Sequence, residues 1–280
     1  MSNFGETRIL ALESRRAKEM AALITTYGGR PVMAPAMREL PLDSNTEAAA
    51  FIATLLRDEF DMVIFLTGVG TRSLTAIAEA RGVRETFVSA LQRVRVVARG
   101  PKPIAALREL GVAVNVSAPE PNTWRELLAA IDEALPATAL RGMRVAVQEY
   151  GVPGTELLAG LAERGALVTR VPVYRWALPD DLKPLRAAIK DLVAGEIGVV
   201  LFTTSVQATH LFQVASEMNL EAPLRSNIQQ CVIASIGPTT SEELRRIGLE
   251  VDLEASHPKM GILVKEASDR CEELLRAKRS

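Results

Sequence analysis

A chain of 280 residues that is 48% hydrophobic and 24% charged has the balance of an ordinary globular protein, and it is long enough for two modest domains with separate cores. A formal net charge of −1 excludes the global basic field that would advertise nucleic acid. The longest apolar runs, Met62 to Leu66 and Gly198 to Phe202, are strand-sized and too short to cross a bilayer. Cys231 and Cys271 lie far apart and form neither a zinc spacing nor a disulfide framework, and His210 and His257 are too few for a multi-histidine metal site. The N-terminus shows no basic-then-apolar pattern with a small-residue cleavage site, so a cytoplasmic chain without metal is expected.

The first predicted strand lies in Arg8 to Glu13, and a helix follows over Glu13 to Thr26 with Ala17, Met20, Ala21 and Ile24 on one face and Gly29 beyond its end. Pro31 to Pro41 is proline-punctuated and reads as extended. Apolar strands are predicted at Met62 to Thr67 and Val96 to Ala98, each running into a glycine-containing loop. Arg144 to Glu149 is the next strand. Leu157, Leu158, Leu161 and Ala162 mark a helical face that stops at Gly165. Val168 to Pro179 is extended again, and strands at Val199 to Thr204 and Ile233 to Ile236 follow. Thr239 to Gly248 opens with two overlapping capping signatures, Thr239 to Glu242 and Thr240 to Glu243.

These segments repeat. Arg8 and Arg144 open similar strands 136 residues apart, Gly29 and Gly165 keep that spacing, and Pro101 and Pro238 are 137 apart. Strands alternating with helices imply parallel sheets covered on both faces, so the expected fold is α/β, with two doubly wound, flavodoxin-like domains. One linker near residue 140 would separate the copies. Alternatively, the two proline-punctuated stretches are themselves the connectors.

In such sheets ligands meet the loops beyond the C-terminal strand ends, where helices begin. The loops here are Glu13-Ser14-Arg15-Arg16, Thr67-Gly68-Val69-Gly70-Thr71-Arg72, Arg99-Gly100-Pro101-Lys102, Glu149-Tyr150-Gly151, Thr203-Thr204-Ser205 and Gly237-Pro238-Thr239-Thr240. Glycine, hydroxyl and arginine at helix starts suit several dispersed carboxylates better than one concentrated charge. Plainer roles fit the same residues: caps for Thr239 and Thr240, a tight turn for Gly68 and Gly70, solvated charge for Arg72, Arg99 and Lys102. The dinucleotide fingerprint lacks its third glycine, no P-loop occurs, and no Gly-x-Ser-x-Gly elbow is present. Tyr174 ends an apolar run, as a plug or as a phenolic donor.

The blocks Phe65 to Arg72, Val171 to Arg175 and Ile233 to Thr240 resemble the scattered signature of uroporphyrinogen-III synthases, and Ala98 to Lys102 and Tyr150 to Pro153 resemble a bacterial branch of that family. The resemblance covers essentially the whole chain in the right order. It implies two α/β domains joined by a two-stranded linker, residues 1–36 plus 178–280 in one and 40–170 in the other, with 31–41 and 168–179 as linker strands. It implies a cyclising lyase that needs no cofactor and closes hydroxymethylbilane with its last ring inverted. Tyr174 matches the family's candidate tyrosine for assisting departure of the hydroxyl, and Arg15, Thr67 to Arg72, Arg99, Gly100, Lys102, Tyr150, Gly151, Thr203 to Ser205 and Gly237 to Thr240 are expected to bind substrate. A monomer with a small-molecule substrate, and with no nucleic-acid or membrane partner, is expected. The loop Phe202 to Gln207 departs from the family's usual Ser-Pro or Ser-Asn-Gly turn. A rival reading is a non-catalytic two-domain module that senses a tetrapyrrole or another anion.

Overall fold

The structure, a computed structural model, describes residues 3–41, 46–136, 138–149, 151 and 154–279. The chain begins with β1 (Arg8–Ala11), α1 (Ala17–Thr26) and β2 (Arg30–Met33), then runs through β3 (Arg38–Pro41). Its middle comprises α2 (Thr46–Leu56), β4 (Met62–Phe65), α3 (Gly68–Ala80), α4 (Arg84–Leu91), β5 (Arg95–Ala98), α5 (Pro101–Glu109), β6 (Val116–Ser117), α6 (Trp124–Ala134), β7 (Arg144–Gln148), α7 (Thr155–Glu163) and β8 (Leu167–Val171). It returns through β9 (Tyr174–Ala177) to α8 (Lys183–Val193), β10 (Val199–Phe202), α9 (Ser205–Glu217), α10 (Glu221–Ile228), β11 (Val232–Ser235), α11 (Pro238–Arg246), β12 (Leu253–Glu254) and α12 (Met260–Arg279).

These elements form two compact units, residues 1–38 with 177–280 and residues 39–176. The first contains a parallel sheet in the order β12-β11-β10-β1-β2. The second contains β6-β5-β4-β7-β8, again parallel. Counted from β1, the first sheet has the 2-1-3-4-5 order of flavodoxin-like folds, and counted from β7 the second has the same plan. Strands β3 and β9, where the chain crosses over and back, pair as a two-stranded sheet. The division therefore falls within the proline-punctuated stretches and not near residue 140. The first part of each stretch is an edge strand, β2 or β8, of a five-stranded sheet. Pro31 is tolerated in β2 because an edge strand has one side without a ladder.

The sequence repeat does not map one copy onto one unit. Strand β1 of the first copy sits beside β10 of the second, while β4 of the first sits beside β7 of the second. Each copy straddles both units because the chain crosses at β3, before the first copy is complete.

Each sheet is buried on both faces. In the first unit Ile9, Ala11, Val199 and Leu201 pack with Met20, Ile24, Leu263 and Val264 of α1 and α12. The alternate residues Leu10, Val200 and Ile233 pack under α8 to α11. In the second, Met62, Ile64 and Val145 face α6 and α7, and Val63, Phe65 and Ala146 face α2 to α5. The two-residue alternation within each strand divides its side chains between these two cores. Helix α8 shows the complementary 3.6 period, burying Leu185, Ala188, Ile189 and Leu192 after a proline at its start.

Several local expectations shift. Helix α1 starts at Ala17 and not at Glu13, with Arg16 preceding it. Its left-handed stop is Gly28 (φ 72°), one residue ahead of Gly29. Ala162 is exposed, and Gly160 takes its place on the buried face of α7, where a Cβ would overlap Leu128 of α6. Gly237, and neither Thr239 nor Thr240, caps α11, because Pro238 occupies the first helical position and moves both threonines inside the first turn. Gly165 (φ 84°) and Gly248 (φ 86°) end their helices with left-handed backbone.

At the N-terminal end of the second sheet, Asp61 joins β4 to β7. Its carboxylate accepts the Arg144 backbone N–H at 2.8 Å and the guanidinium at 2.8 and 3.1 Å. These bonds, the side-chain one foremost, hold the Asp61 carboxyl below the usual aspartate range. A depressed carboxylate stabilises the fold above its unfolded value, and that stability is lost as pH falls through the folded one. Asp61→Asn is expected to cost about 0.5–1 kcal/mol at neutral pH, the range of a half-exposed pair. In thermal melts the difference from wild type should shrink as pH is lowered below about 4.

Candidate active site at the two switch points

In each unit the strand order reverses beside one strand pair, β4/β7 in the second and β1/β10 in the first, and ligand sites form beyond the C-terminal ends at such points. In the second unit Thr67 leaves β4 in extended conformation and caps α3, its Oγ1 accepting the Gly70 N–H at 3.0 Å. Gly68 and Gly70 are buried and Val69 half-buried. A Cβ on Gly68 would stand 2.6 Å from the Lys102 carbonyl oxygen, so the first turn of α3 lies directly against the 99–102 loop. Thr71 is buried and spends its hydroxyl on the Thr67 carbonyl at 2.9 Å. Arg72 makes a forked pair with Glu109 of α5, at 2.6 and 3.1 Å. That pairing raises the Arg72 pKa and lowers that of Glu109. Arg99 is half-buried, Gly100 buried, and Lys102 exposed in the first turn of α5.

Tyr174, 5% exposed at the start of β9, places its phenol oxygen 3.4 Å from Thr67 Oγ1. Its ring stands edge-on to Trp176, with centroids 5.3 Å apart. Gly151 has φ 75°, and a side chain there would overlap the Trp176 indole, so this glycine is accounted for by backbone and packing. Tyr150 lies outside the described residues. Gln148, at the end of β7, is fully buried; its Oε1 accepts the Thr67 N–H at 3.2 Å and its Nε2 donates to the Glu149 carbonyl. The buried Glu149 carboxylate takes both Arg170 donors, at 2.9 and 3.0 Å.

In the first unit Thr203 Oγ1 donates to Glu13 at 2.7 Å. Gln207, also buried, accepts the N–H groups of Thr203 and Thr204 at 2.9 and 3.3 Å and donates to Thr203 Oγ1 at 2.9 Å. Ser205 is half-buried at the head of α9. At the head of α11, Ser235 Oγ donates to the Gly237 carbonyl at 3.0 Å and accepts its N–H at 3.3 Å. Pro238 follows half-buried, Thr239 is exposed and Thr240 buried. Arg15 is exposed in the turn after β1. His210 is buried with Nδ1 2.7 Å from the Ala36 carbonyl; a carbonyl only accepts, so Nδ1 carries a proton and the ring anchors the segment leading to β3.

Helices α3 and α5 in one unit, and α9 and α11 in the other, thus start at the C-terminal edges and direct their free N–H groups and positive dipole ends there. That arrangement is chemically suited to carboxylates and carries hydroxyl groups beside them. The 67–72 loop, the 99–102 loop and Tyr174 gather in the second unit, and the 203–205 turn meets Glu13 in the first. The sequence places Glu13 in one of the ligand-facing loops but gives no role to Gln148 or Gln207. The available signal for Gln148 was a buried apolar strand ending in glutamine, which belongs to no motif, and for Gln207 the capping pattern Thr204 to Gln207 at the head of α9. Among the described residues no group of His, Cys, Asp and Glu is placed to hold a metal ion, and no helix is long and apolar enough to cross a membrane.

Residues 18–265 match the family model described as uroporphyrinogen-III synthase HemD. A mutant uroporphyrinogen III synthase from the extremely thermophilic bacterium Thermus thermophilus superposes with a TM-score of 0.72 at 26% identity, over 96% of this chain and 99% of that one. The Helicobacter pylori uroporphyrinogen-III synthetase shares the fold, with a TM-score of 0.51 at 17% identity, over 97% and 99% of the two chains. A Bacillus subtilis (strain 168) protein, "Uncharacterized protein YjjA", is 28% identical over 93% of this chain and 94% of its own length. With a model match that spans most of the chain, this protein belongs to the uroporphyrinogen-III synthase family.

Proposed function

We infer that this chain converts hydroxymethylbilane into uroporphyrinogen III, closing the macrocycle with ring D inverted and releasing one water. The observation that carries the reading, beside the family, is the Tyr174 phenol held 3.4 Å from the hydroxyl that caps α3 at a switch point. Tyr174 donates a hydrogen bond to the departing hydroxyl of the first ring, which leaves as water with the proton that the same ring's pyrrole N–H gives up, and a neutral azafulvene remains. The substituted carbon of ring D attacks, and the spiro intermediate rearranges with that ring turned over. The substrate's eight carboxylates are dispersed. The first turns of α3, α5, α9 and α11 supply the N–H groups of their non-proline residues for them, with Arg15, Arg99, Lys102 and Thr239 as side-chain partners. Thr71, Arg72 and Gly151 shape these loops through the contacts described above. Catalysis of this kind works by positioning and by exclusion of water. The chain works as a cytoplasmic monomer without cofactor and without nucleic-acid partners.

Freshly generated hydroxymethylbilane, incubated with the purified chain and no added metal or cofactor, tests the reading after oxidation and chromatography. Type III uroporphyrin in excess over the enzyme-free control is the expected result. Type I alone, from folded protein that still binds porphyrin, would replace the reading with that of a sensor; type I without binding would end both.

A further inference from the structure

The two switch-point turns carry the same restraint by opposite means. The pairing of β4 with β7 sets Phe65 beside Gln148, and the pairing of β10 with β1 ends one residue earlier, with Leu201 beside Ala11. One further step places Leu12 where the second unit has Gln148. Helices α3 and α9 both begin shortly beyond their strands, and their third residues are Gly70 and Gln207. Glutamine and a small or apolar partner have therefore exchanged places between the units. In the second unit the amide comes from the strand, and a side chain on Gly70 would overlap it. In the first the amide comes from the helix, and the strand position is a fully buried leucine. In both units the glutamine oxygen accepts the N–H groups at the turn: Thr67 from Gln148, Thr203 and Thr204 from Gln207.

We propose that Gln148 is a positioning residue for Tyr174. By fixing the Thr67 backbone it fixes Thr67 Oγ1, which both caps α3 and meets the phenol. Gln148 itself is fully buried, with both ends of its amide engaged, and acts only through Thr67. The proposal rests on the synthase reading. It also predicts that a leucine at 148, the counterpart of Leu12, keeps the fold while leaving the Thr67 N–H without its acceptor.

The test compares Gln148→Leu, Gly70→Gln and the double variant Gly70→Gln/Gln148→Leu, which rebuilds the first unit's arrangement in the second. Gln148→Leu is expected to fold and to lose about tenfold or more in kcat with a much smaller change in KM, as small displacements of a reacting group cost up to about 10²-fold. Gly70→Gln alone should be worse, because two glutamines then compete for one space. The double variant should recover most of the lost kcat, and amide exchange at Thr67 should quicken in Gln148→Leu and slow again in the double variant. Wild-type kcat in Gln148→Leu, or a folded double variant no better than the single, would overturn the proposal. If Gln148→Leu does not fold, the double variant decides alone, folded and active in support, folded and inactive against. A wild-type chain that makes no type III product would sink the synthase reading instead, and the exchange rates would still report whether glutamine holds the turn.

Discussion

Tyr174→Phe is expected to lower turnover by about 10²-fold, the usual consequence of removing one preorganised donor from a reacting oxygen. The phenyl ring keeps its place, since its surroundings are buried and its edge-on contact with Trp176 does not involve the hydroxyl. Thr67 Oγ1 retains the Gly70 N–H, so the cap of α3 survives. The stability change is therefore within about 1 kcal/mol, and a melt should barely distinguish the variant. The effect appears in kcat, because the hydrogen bond strengthens as the hydroxyl departs and contributes little to binding the resting substrate. Regiochemistry behaves differently. At enzyme concentrations raised to offset the slower rate, type III should still predominate, because in the proposed mechanism loops and helix starts, and not the phenol, hold the curled chain. Unchanged turnover would remove Tyr174 from the chemistry. A shift to type I under saturating enzyme would make it a determinant of which carbon attacks.

How far the sequence reveals this arrangement depends on the range of the interaction. Wholly apolar runs such as Met62–Phe65 and Val199–Phe202 announce buried parallel strands, because both of their faces are covered. Gly165 and Gly248 announce helix ends because the left-handed conformation is local. Partner choice is not local. Nothing in Arg8–Ala11 says that its neighbour will be the distant Val199–Phe202 in preference to the nearer Met62–Phe65 of its own copy. The repeat was legible, while its division between two units depended on where the chain crosses. The cap of α11 was misplaced for a physical reason. Thr239 and Thr240 satisfy the capping pattern, but Pro238 has a fixed φ and no N–H, and it takes the first helical position ahead of them. The loops around Tyr174 were legible as loops. The glutamines that hold them were not, because Gln148 and Gln207 compensate across space for what Gly70 and Leu12 lack. Cys271 is flanked in sequence by charged residues, yet it faces the core of the first unit.

Lys278→Met is expected to be the most destabilising single change outside the apolar cores. Lys278, in the last turn of α12, meets Asp252 at 2.9 Å, with the two side chains only 12% and 11% exposed. Asp252 also accepts the Ile233 N–H at 2.8 Å through its second oxygen, and its own N–H donates to the Ile233 carbonyl. One carboxylate thus ties the end of the C-terminal helix to β11, the strand next to the edge of the sheet. Methionine fills the space of the lysine stem but leaves a buried carboxylate without its counter-charge. Breaking a buried pair from one side costs about 3–5 kcal/mol, and the residual exposure favours the lower figure. At roughly 2–4 °C per kcal/mol for a chain of this size, the melting temperature should fall by about 6–12 °C. Adding Asp252→Asn, which keeps an oxygen for the Ile233 N–H, should recover part of the loss, and a double-mutant cycle isolates the pair. The two free cysteines give a second readout. Both are buried, and burial pushes the Cys231 thiol up to about 12, so neither offers thiolate in the intact fold. Cys271 lies on α12 itself, and loosening that helix should speed its reaction with a thiol reagent several-fold before global unfolding. A melting point within about 2 °C of wild type, with unchanged thiol reactivity, would show that the α12 terminus is held by its apolar face alone and that the ion pair contributes no net stability.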